Sequence, residues 1–271
     1  MKISQLGEFA LIEKIKKLSA SPYIGDDCAI VDGWLISCDQ FVEGVHFDFK
    51  HFTFKDLGWR FLAASLSDIA AMGGIPKYAL VSLALPKNTE VKDIQAFWRG
   101  FQSLAKKHKV VLVGGDTSAS LNGIFCSITV MGKPSKKGPV LRSGAKKGDF
   151  ILALGSNWGK TWKENKRPQP RIKEGIKLAE SGLISSMIDS SDGLARSVWE
   201  ICRASSCGAR VFDLPHKILY SGEEYELVFT AQEKNIPFIK KLISLPLIAA
   251  GCILPMKDGI NIKEGFQHFK P

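Results

Sequence analysis

The sequence predicts a two-domain α/β protein. Short runs rich in β-branched residues alternate with segments of helical period along its 271 residues. With 45% hydrophobic residues the chain is able to bury a substantial core, and a connector rich in Pro, Gly and Lys at 132–139 divides it into two halves. We therefore expect an N-terminal domain over 1–135 and a C-terminal domain over 136–271.

The elements predicted in the first half are bounded by turn-forming residues. Strands are expected at 28–31, 35–38, 78–85, 110–113 and 124–131. Helices are expected at 7–18, 55–72 and 91–108. The second helix ends at Gly73-Gly74 before Ile75-Pro76, and the third follows Asn88-Thr89-Glu90, so both have clear boundaries.

The second half repeats the alternation. Strands are expected at 150–154, 209–212, 227–230 and 248–253, and helices at 171–181, 192–205 and 233–244. The first twenty residues have a helical pattern mixed with Lys and Glu rather than the apolar run of a signal peptide. No apolar run is long enough to span a bilayer. We expect a cytoplasmic protein with no membrane partner.

The net charge of +10 comes from one window. Residues 133–173 contain twelve Lys and Arg against two acids, Asp149 and Glu164, and the rest of the chain balances at twenty-five against twenty-five. This window indicates either a solvated basic surface or a segment that faces phosphate-rich ligands. No zinc finger, helix-turn-helix or basic motif with interleaved aromatic residues accompanies it, so we expect no nucleic-acid partner.

Five short motifs place aspartates next to Gly or Ser, mostly at the ends of predicted strands. They are 25–28, 37–39, 67–68, 114–117 and 189–193. Each motif alone is also typical of a turn or a helix N-cap. Together they favour a site at the ends of the strands, where open α/β proteins bind ligands.

Asp68 is unusual because it lies in an otherwise apolar predicted helix. A buried carboxylate there requires a cation or a hydrogen-bond donor. Several converging carboxylates repel one another unless cations lie between them, and all-oxygen ligands favour Mg²⁺ over zinc or copper. The sequence therefore predicts a magnesium site with several ions.

Such a site suits phosphoryl transfer from a polyanionic donor. Magnesium ions neutralise the repulsion between donor and acceptor, and an acceptor phosphate is already ionised at neutral pH. We therefore expect no catalytic general base, which agrees with the lack of a Ser/His/Asp arrangement. Gly114-Gly115-Asp116-Thr117 is not a Walker A motif because it has no Lys, so the nucleotide site is expected to be of another design.

The motifs together resemble those of the thiamine-monophosphate kinase family, a member of the aminoimidazole ribonucleotide synthetase-like superfamily. The matching segments are 7–12, 24–29, 41–47, 66–73, 114–117, 142–149, 167–171, 188–194 and 222–227. The resemblance implies an N-terminal mixed sheet that pairs with its twin in a homodimer, followed by a C-terminal α/β domain. It also implies phosphorylation of thiamine phosphate to thiamine diphosphate, with ATP as the co-substrate.

The resemblance assigns expected roles to individual residues. The expected magnesium ligands are Asp27, Ser37, Cys38, Asp39, Asp68, Asp116, Asp189 and Asp192. The residues expected to bind ATP are Gly115, Asp116, Arg142 and Ser191. The residues expected to bind thiamine phosphate are His46, Glu223 and Phe266, the last by packing on a ring.

Two departures from the family pattern bear on this expectation. Cys38 stands where the family usually has Thr, and its thiol is a poor magnesium ligand, which leaves only its backbone carbonyl. The segment between Leu154 and Arg167 is shorter than in the family, so Lys160, Lys163 and Lys166 are candidates to replace lost substrate contacts.

Two other functions remain open from the sequence. One is an ATP-using synthetase of the same superfamily; selenophosphate synthesis would need a Cys in a Gly-rich N-terminal loop, and none precedes Cys28. The other is a non-catalytic protein that binds nucleotides or nucleic acids through the basic window.

Overall fold

The computed structural model describes residues 2–266 and 268–269, which contain ten strands and eight α-helices. The helices are α1 Ile3–Leu6, α2 Glu8–Ser19, α3 Phe54–Ala71, α4 Val91–His108, α5 Ile172–Ser181, α6 Leu194–Ser205, α7 His216–Tyr220 and α8 Ile236–Leu242. The strands are β1 Ala29–Val31, β2 Trp34–Val42, β3 Gly74–Pro86, β4 Val111–Ser120, β5 Phe125–Pro134, β6 Phe150–Leu154, β7 Ser186–Asp189, β8 Cys207–Val211, β9 Leu227–Ala231 and β10 Leu247–Pro255. Among these described residues no helix has both the length and the apolar character needed to cross a bilayer.

The N-terminal sheet has the order β1-β2-β5-β3-β4 and is mixed, because β3 and β4 are parallel while the other pairs are antiparallel. Helix α3 packs against it and is buried along most of its length. Thr53 caps this helix and forms a capping box with Asp56. Helices α3 and α4 cross at two glycines. A Cβ on Gly58 would lie 1.9 Å from the Phe97 carbonyl oxygen, and a Cβ on Gly100 would lie 2.0 Å from the Lys55 carbonyl oxygen.

The C-terminal sheet has the order β7-β9-β6-β10-β8 and is antiparallel throughout. One hydrophobic core extends from the first sheet to the inner face of the second, and a smaller core lies between the second sheet and α6. The mixed first sheet and the α/β second half confirm the predicted fold class. The division at residues 135 and 136 stays a prediction; β5 ends at Pro134, and β6, in the other sheet, begins at Phe150.

Most predicted elements are present, and two differences affect the site. The prediction that the fourth strand ends at Val113 is wrong, because β4 continues through Gly114-Gly115 to Ser120 and pairs with β3 along its length. Gly115 permits this approach, since a Cβ there would lie 1.8 Å from the Val81 carbonyl oxygen. Strand β7 is missing from the prediction because it has only four residues, and its side chains are all buried.

Candidate active site

Three aspartates from distant parts of the chain converge on one point. Carboxylate oxygens of Asp27, Asp68 and Asp189 all lie within 4.8 Å of one another. Asp27 lies in the loop before β1, Asp68 in the last turns of α3, and Asp189 at the end of β7. A loop next to the first sheet, the buried helix α3 and a strand of the second sheet therefore each contribute one carboxylate.

The charges of this carboxylate cluster are poorly compensated by the protein. Burial raises the pKa of Asp68 well above its ordinary value, and the neighbouring Asp39, Asp189 and Asp27 raise it further. Burial, together with Asp27, raises the pKa of Asp189 to about 8. Asp27 accepts a hydrogen bond from the Arg142 guanidinium at 2.7 Å on one oxygen, while its buried Oδ2 has no partner among the described residues. Such an arrangement fits a bound cation.

Strand β2 adds further oxygens beside the cluster. Ser37 and Asp39 share the face of the sheet that packs on α3, and the Ser37 hydroxyl donates to an Asp68 carboxylate oxygen. Burial raises the pKa of Asp39. Cys38 lies on the opposite face, exposed, with its Sγ 3.3 Å from Ser127 Oγ. The thiol is therefore directed away from the cluster.

Asp116 lies apart from the cluster on the exposed edge strand β4. Asp39 pairs with Ile128, Ile128 pairs with Val81, and Val81 pairs with Gly115. Three steps between neighbouring strands separate Asp39 from Gly115 by about 14 Å. Within one chain Gly115 and Asp116 are therefore too far from Asp39 to share an ion with it.

One cavity of about 480 Å³ lies beside the carboxylate cluster. Its lining includes the carboxylates of Asp39, Asp68, Asp189, Asp192 and Glu223. Its lining also includes the aromatic side chains of Phe41, His46, Trp162, Tyr220 and Phe266. The three residues expected to bind the acceptor, His46, Glu223 and Phe266, thus line one cavity with four of the expected metal ligands. We refer to it as the aromatic cavity.

Hydrogen bonds hold two of these acceptor residues in place. Arg60, which is 2% exposed, donates from Nη2 to Glu223 Oε2 at 2.6 Å, and from Nη1 to the Asn165 carbonyl oxygen at 2.6 Å. Burial raises the pKa of Glu223, and Arg60 opposes the rise. His46 Nδ1 accepts from the Val42 backbone N–H at 3.0 Å, which fixes the tautomer of a neutral ring.

A second cavity of about 320 Å³ contains three arginines, Arg142, Arg196 and Arg203, and we call it the arginine cavity. It shares Glu8, Asp189, Ser191 and Asp192 with the aromatic cavity. Burial raises the pKa of Asp192 to about 6. The two cavities therefore meet at Asp189 and Asp192, beside the carboxylate cluster.

Sequence reasoning missed three residues that line these cavities, and also Arg60, which holds Glu223. Asp26 accepts the Arg142 backbone N–H through both carboxylate oxygens, at 3.1 and 3.3 Å, and its place beside Asp27 was an available signal. Arg60 and Arg196 are nearly fully buried, and Arg60 is conspicuous in the sequence as a charge within an apolar helix. Trp162 has no such signal, because only the fold brings it to the cavity.

Known proteins resemble this chain in sequence and in structure. Residues 25–133 match the family described as AIR synthase related protein, N-terminal domain. Thiamine-monophosphate kinase of Buchnera aphidicola subsp. Schizaphis graminum is 31% identical over an alignment that covers 98% of this chain and 99% of the relative. The enzyme of Bacillus subtilis is 30% identical, with 98% and 100% covered.

The solved structure described as AaThiL complexed with AMPPCP and TMP superposes with a TM-score of 0.86 at 26% identity, and the alignment covers 99% of both chains. The alignment with the Buchnera relative has 328 positions against 271 residues here, so at least 57 of its positions have no residue of this chain. Identity at this level over the whole length of both chains shows common descent. The chain therefore belongs to the thiamine-monophosphate kinase family.

Proposed function

We propose that the protein phosphorylates thiamine phosphate to thiamine diphosphate with ATP as the phosphoryl donor. The observation that carries this proposal is the junction of two cavities of different chemistry at buried carboxylates. The aromatic cavity and the arginine cavity share Asp189 and Asp192. A donor and an acceptor in adjoining cavities are held for direct transfer. The names of the relatives and the AaThiL complex with AMPPCP and TMP support these two ligands.

The chemistry of each cavity supports one ligand. Guanidinium groups bind phosphates well, and Arg142 with Ser191 lines the arginine cavity, which supports the nucleotide there. Aromatic rings and the Glu223 carboxylate suit a flat, cationic heterocycle, which supports thiamine phosphate in the aromatic cavity. In this proposal His46 and Phe266 flank the heterocycle, and Glu223, fixed by Arg60, faces it.

The carboxylate cluster fits magnesium by the nature of its donors. All are oxygens, Asp27 Oδ2 has no partner among the described residues, and burial makes the unpaired negative charges costly. We propose that Asp27, Asp68 and Asp189 hold magnesium, with Ser37, Asp39 and Asp192 beside them and Cys38 limited to its carbonyl oxygen. When bound, magnesium neutralises phosphate charge and stabilises charge on the transferring group.

The transfer itself is a single displacement at the terminal phosphorus of ATP. An oxygen of the acceptor phosphate forms a new bond to this phosphorus, while the bond to the oxygen bridging the β- and γ-phosphates breaks, and ADP leaves. No proton has to be removed from the ionised acceptor. The side chains therefore act by orienting both substrates and by excluding water, and none serves as a general base.

The edge strand β4 supports a homodimer. Its residues are exposed from Val111 to Ala119, including the apolar Val111, Leu112 and Val113. An exposed apolar edge strand readily pairs with a strand of another chain. Because Asp116 is too far from Asp39 within one chain, we propose that Gly115 and Asp116 of one copy complete the site of another. The cytoplasmic location, the domain division and the absence of nucleic-acid and membrane partners stay predictions.

An assay for thiamine diphosphate tests the function directly. We expect the purified protein to convert thiamine phosphate in the presence of ATP and magnesium, with ADP formed in equal amount. Product identity must be established by chromatography, because ADP release alone would also fit another synthetase of the superfamily. Binding of ATP without any thiamine diphosphate would refute the proposal.

A further inference from the structure

Residues 155–171 connect β6 to α5 without a helix or strand, and we call them the short connection. They contain the segment between Leu154 and Arg167, which the sequence predicts to be shortened. In the alignment with the Buchnera relative, at least 57 positions have no residue of this chain.

The short connection is held firmly at several points. Ser156 and Asn157 donate their backbone N–H groups to Glu226 Oε1 at 3.1 and 3.0 Å. The buried Asn165 accepts from Arg60 through its carbonyl oxygen and donates from Nδ2 to the Glu223 carbonyl oxygen at 3.3 Å. These bonds fix the connection against α3 and against the loop that carries Glu223, so the side chains between them have defined positions.

Trp162 is the part of the short connection that lines the aromatic cavity. Its ring stacks on buried Phe52, with centroids 5.4 Å apart and planes inclined by 15°, and meets His51 edge-on at 5.5 Å. Three lysines are candidates to replace lost contacts. Lys160 bonds to Asn157 Oδ1, and Lys163 Nζ lies 5.2 Å from the Trp162 ring centroid, but neither of them nor Lys166 is among the residues that line the cavity. The residue offered to a ligand is an indole rather than an ammonium group.

We propose that Trp162 is a specificity-determining residue that contacts the cationic heteroaromatic portion of the acceptor. This inference rests on the proposed function, since it concerns the same cavity. The same cavity is also lined by Glu8, Asp192 and Glu223, so it combines negative charge with an aromatic surface. Tryptophan is the side chain with the strongest attraction for a cation over its ring. The thiazolium of thiamine is a flat cation of this kind, and it is present with or without the phosphate.

Binding measurements separate this role from catalysis. Calorimetric titration of the wild type and of Trp162→Ala with thiamine and with thiamine phosphate is expected to show about tenfold weaker binding of both ligands in the variant. The affinity for the ATP analogue AMPPCP should stay unchanged. Equal affinities for thiamine in the two proteins would overturn the inference. A wild type that binds neither thiamine compound would overturn the proposed function and, with it, the inference.

A conservative pair of variants guards against misfolding of Trp162→Ala. Trp162→Phe retains a ring on Phe52, and Trp158→Phe alters another tryptophan of the same connection that packs on the smaller core instead. Thiamine phosphate should quench the tryptophan fluorescence of the wild type and of Trp158→Phe, and most of that quenching should disappear in Trp162→Phe while binding is largely retained. Undiminished quenching in Trp162→Phe would contradict contact between Trp162 and the ligand.

Discussion

The carboxylate cluster and the edge strand β4 both carry aspartates predicted to bind magnesium, yet their environments are opposite. Asp27, Asp68 and Asp189 converge in the interior, where burial raises the pKa of Asp68 and of Asp189. Asp116 lies on a strand that is exposed along nearly its whole length. The three carboxylates of the cluster come from one chain, whereas β4 lies at the edge of its sheet, with a neighbouring strand on one side in the part of the chain that the structure describes. This difference is the basis of our proposal that two copies of the chain complete the site.

The largest effect is expected from removing one member of the cluster. Asp68→Asn should lower the rate of thiamine diphosphate formation at least about thousandfold, because the loss of one charged ligand weakens the charge stabilisation that bound magnesium supplies. The fold should be kept, since Asn is similar in shape and relieves repulsion. Rate assays together with circular dichroism test this, and near-normal activity would count against a metal site built on α3.

A change on the edge strand should act through assembly instead. Val113 is 52% exposed. The substitution Val113→Lys should weaken dimerisation at least about a hundredfold, because the proposed interface would bury an unpaired charge. Light scattering would report monomers at micromolar concentration, with activity lost in parallel. Val91→Lys is the matched control, because Val91 is 74% exposed on α4 and should leave the dimer intact. A wild type that is itself monomeric would remove the basis of this comparison.

A smaller effect is expected on the stability of the metal-free protein, which should depend on pH. Because the folded pKa of Asp189 is about 8, the native protein holds this proton more tightly than the unfolded chain does. The resulting stability is complete below about pH 4 and is lost as the pH rises through about 8. In EDTA the wild type should therefore be more stable at about pH 6 than at about pH 8, by about 2 kcal/mol.

Thermal unfolding in EDTA measures this pH dependence, and its origin is tested with two variants. Asp189→Asn should lose most of the difference in Tm between the two pH values, while Asp116→Asn, on the exposed strand, should keep it. A difference of equal size in Asp189→Asn would show that other groups cause it.

Parts of the fold differ in how well the sequence predicts them. Local patterns are sufficient for elements such as α4 at Val91–His108 and β6 at Phe150–Leu154, whose periodicity and boundaries agree with the structure. They fail at β4, because Gly114-Gly115 is a turn signal by itself, and only parallel pairing with β3 keeps the chain extended.

The candidate site shows the same limit. The charge of Asp68 within an apolar helix signals a function from the sequence alone, but its convergence with Asp27 and Asp189 depends on contacts between distant elements. The position of Trp162 could not be predicted from the sequence. It depends on stacking against Phe52, which is far away in the sequence, and on the hydrogen bond that holds the neighbouring Asn165. The separation of Asp116 from Asp39 likewise follows only from the observed register.

The shared site is tested most directly by combining two inactive variants in one dimer. Asp68→Asn and Asp116→Asn chains, each with a different affinity tag, are co-expressed, and the mixed dimer is isolated by two successive purifications. If the cluster of one chain works with Asp116 of the other, one of the two sites is intact, and the mixed dimer should have about half of the wild-type activity. If each site is built within a single chain, both sites are damaged, and a mixed dimer as inactive as the parent variants would contradict the account.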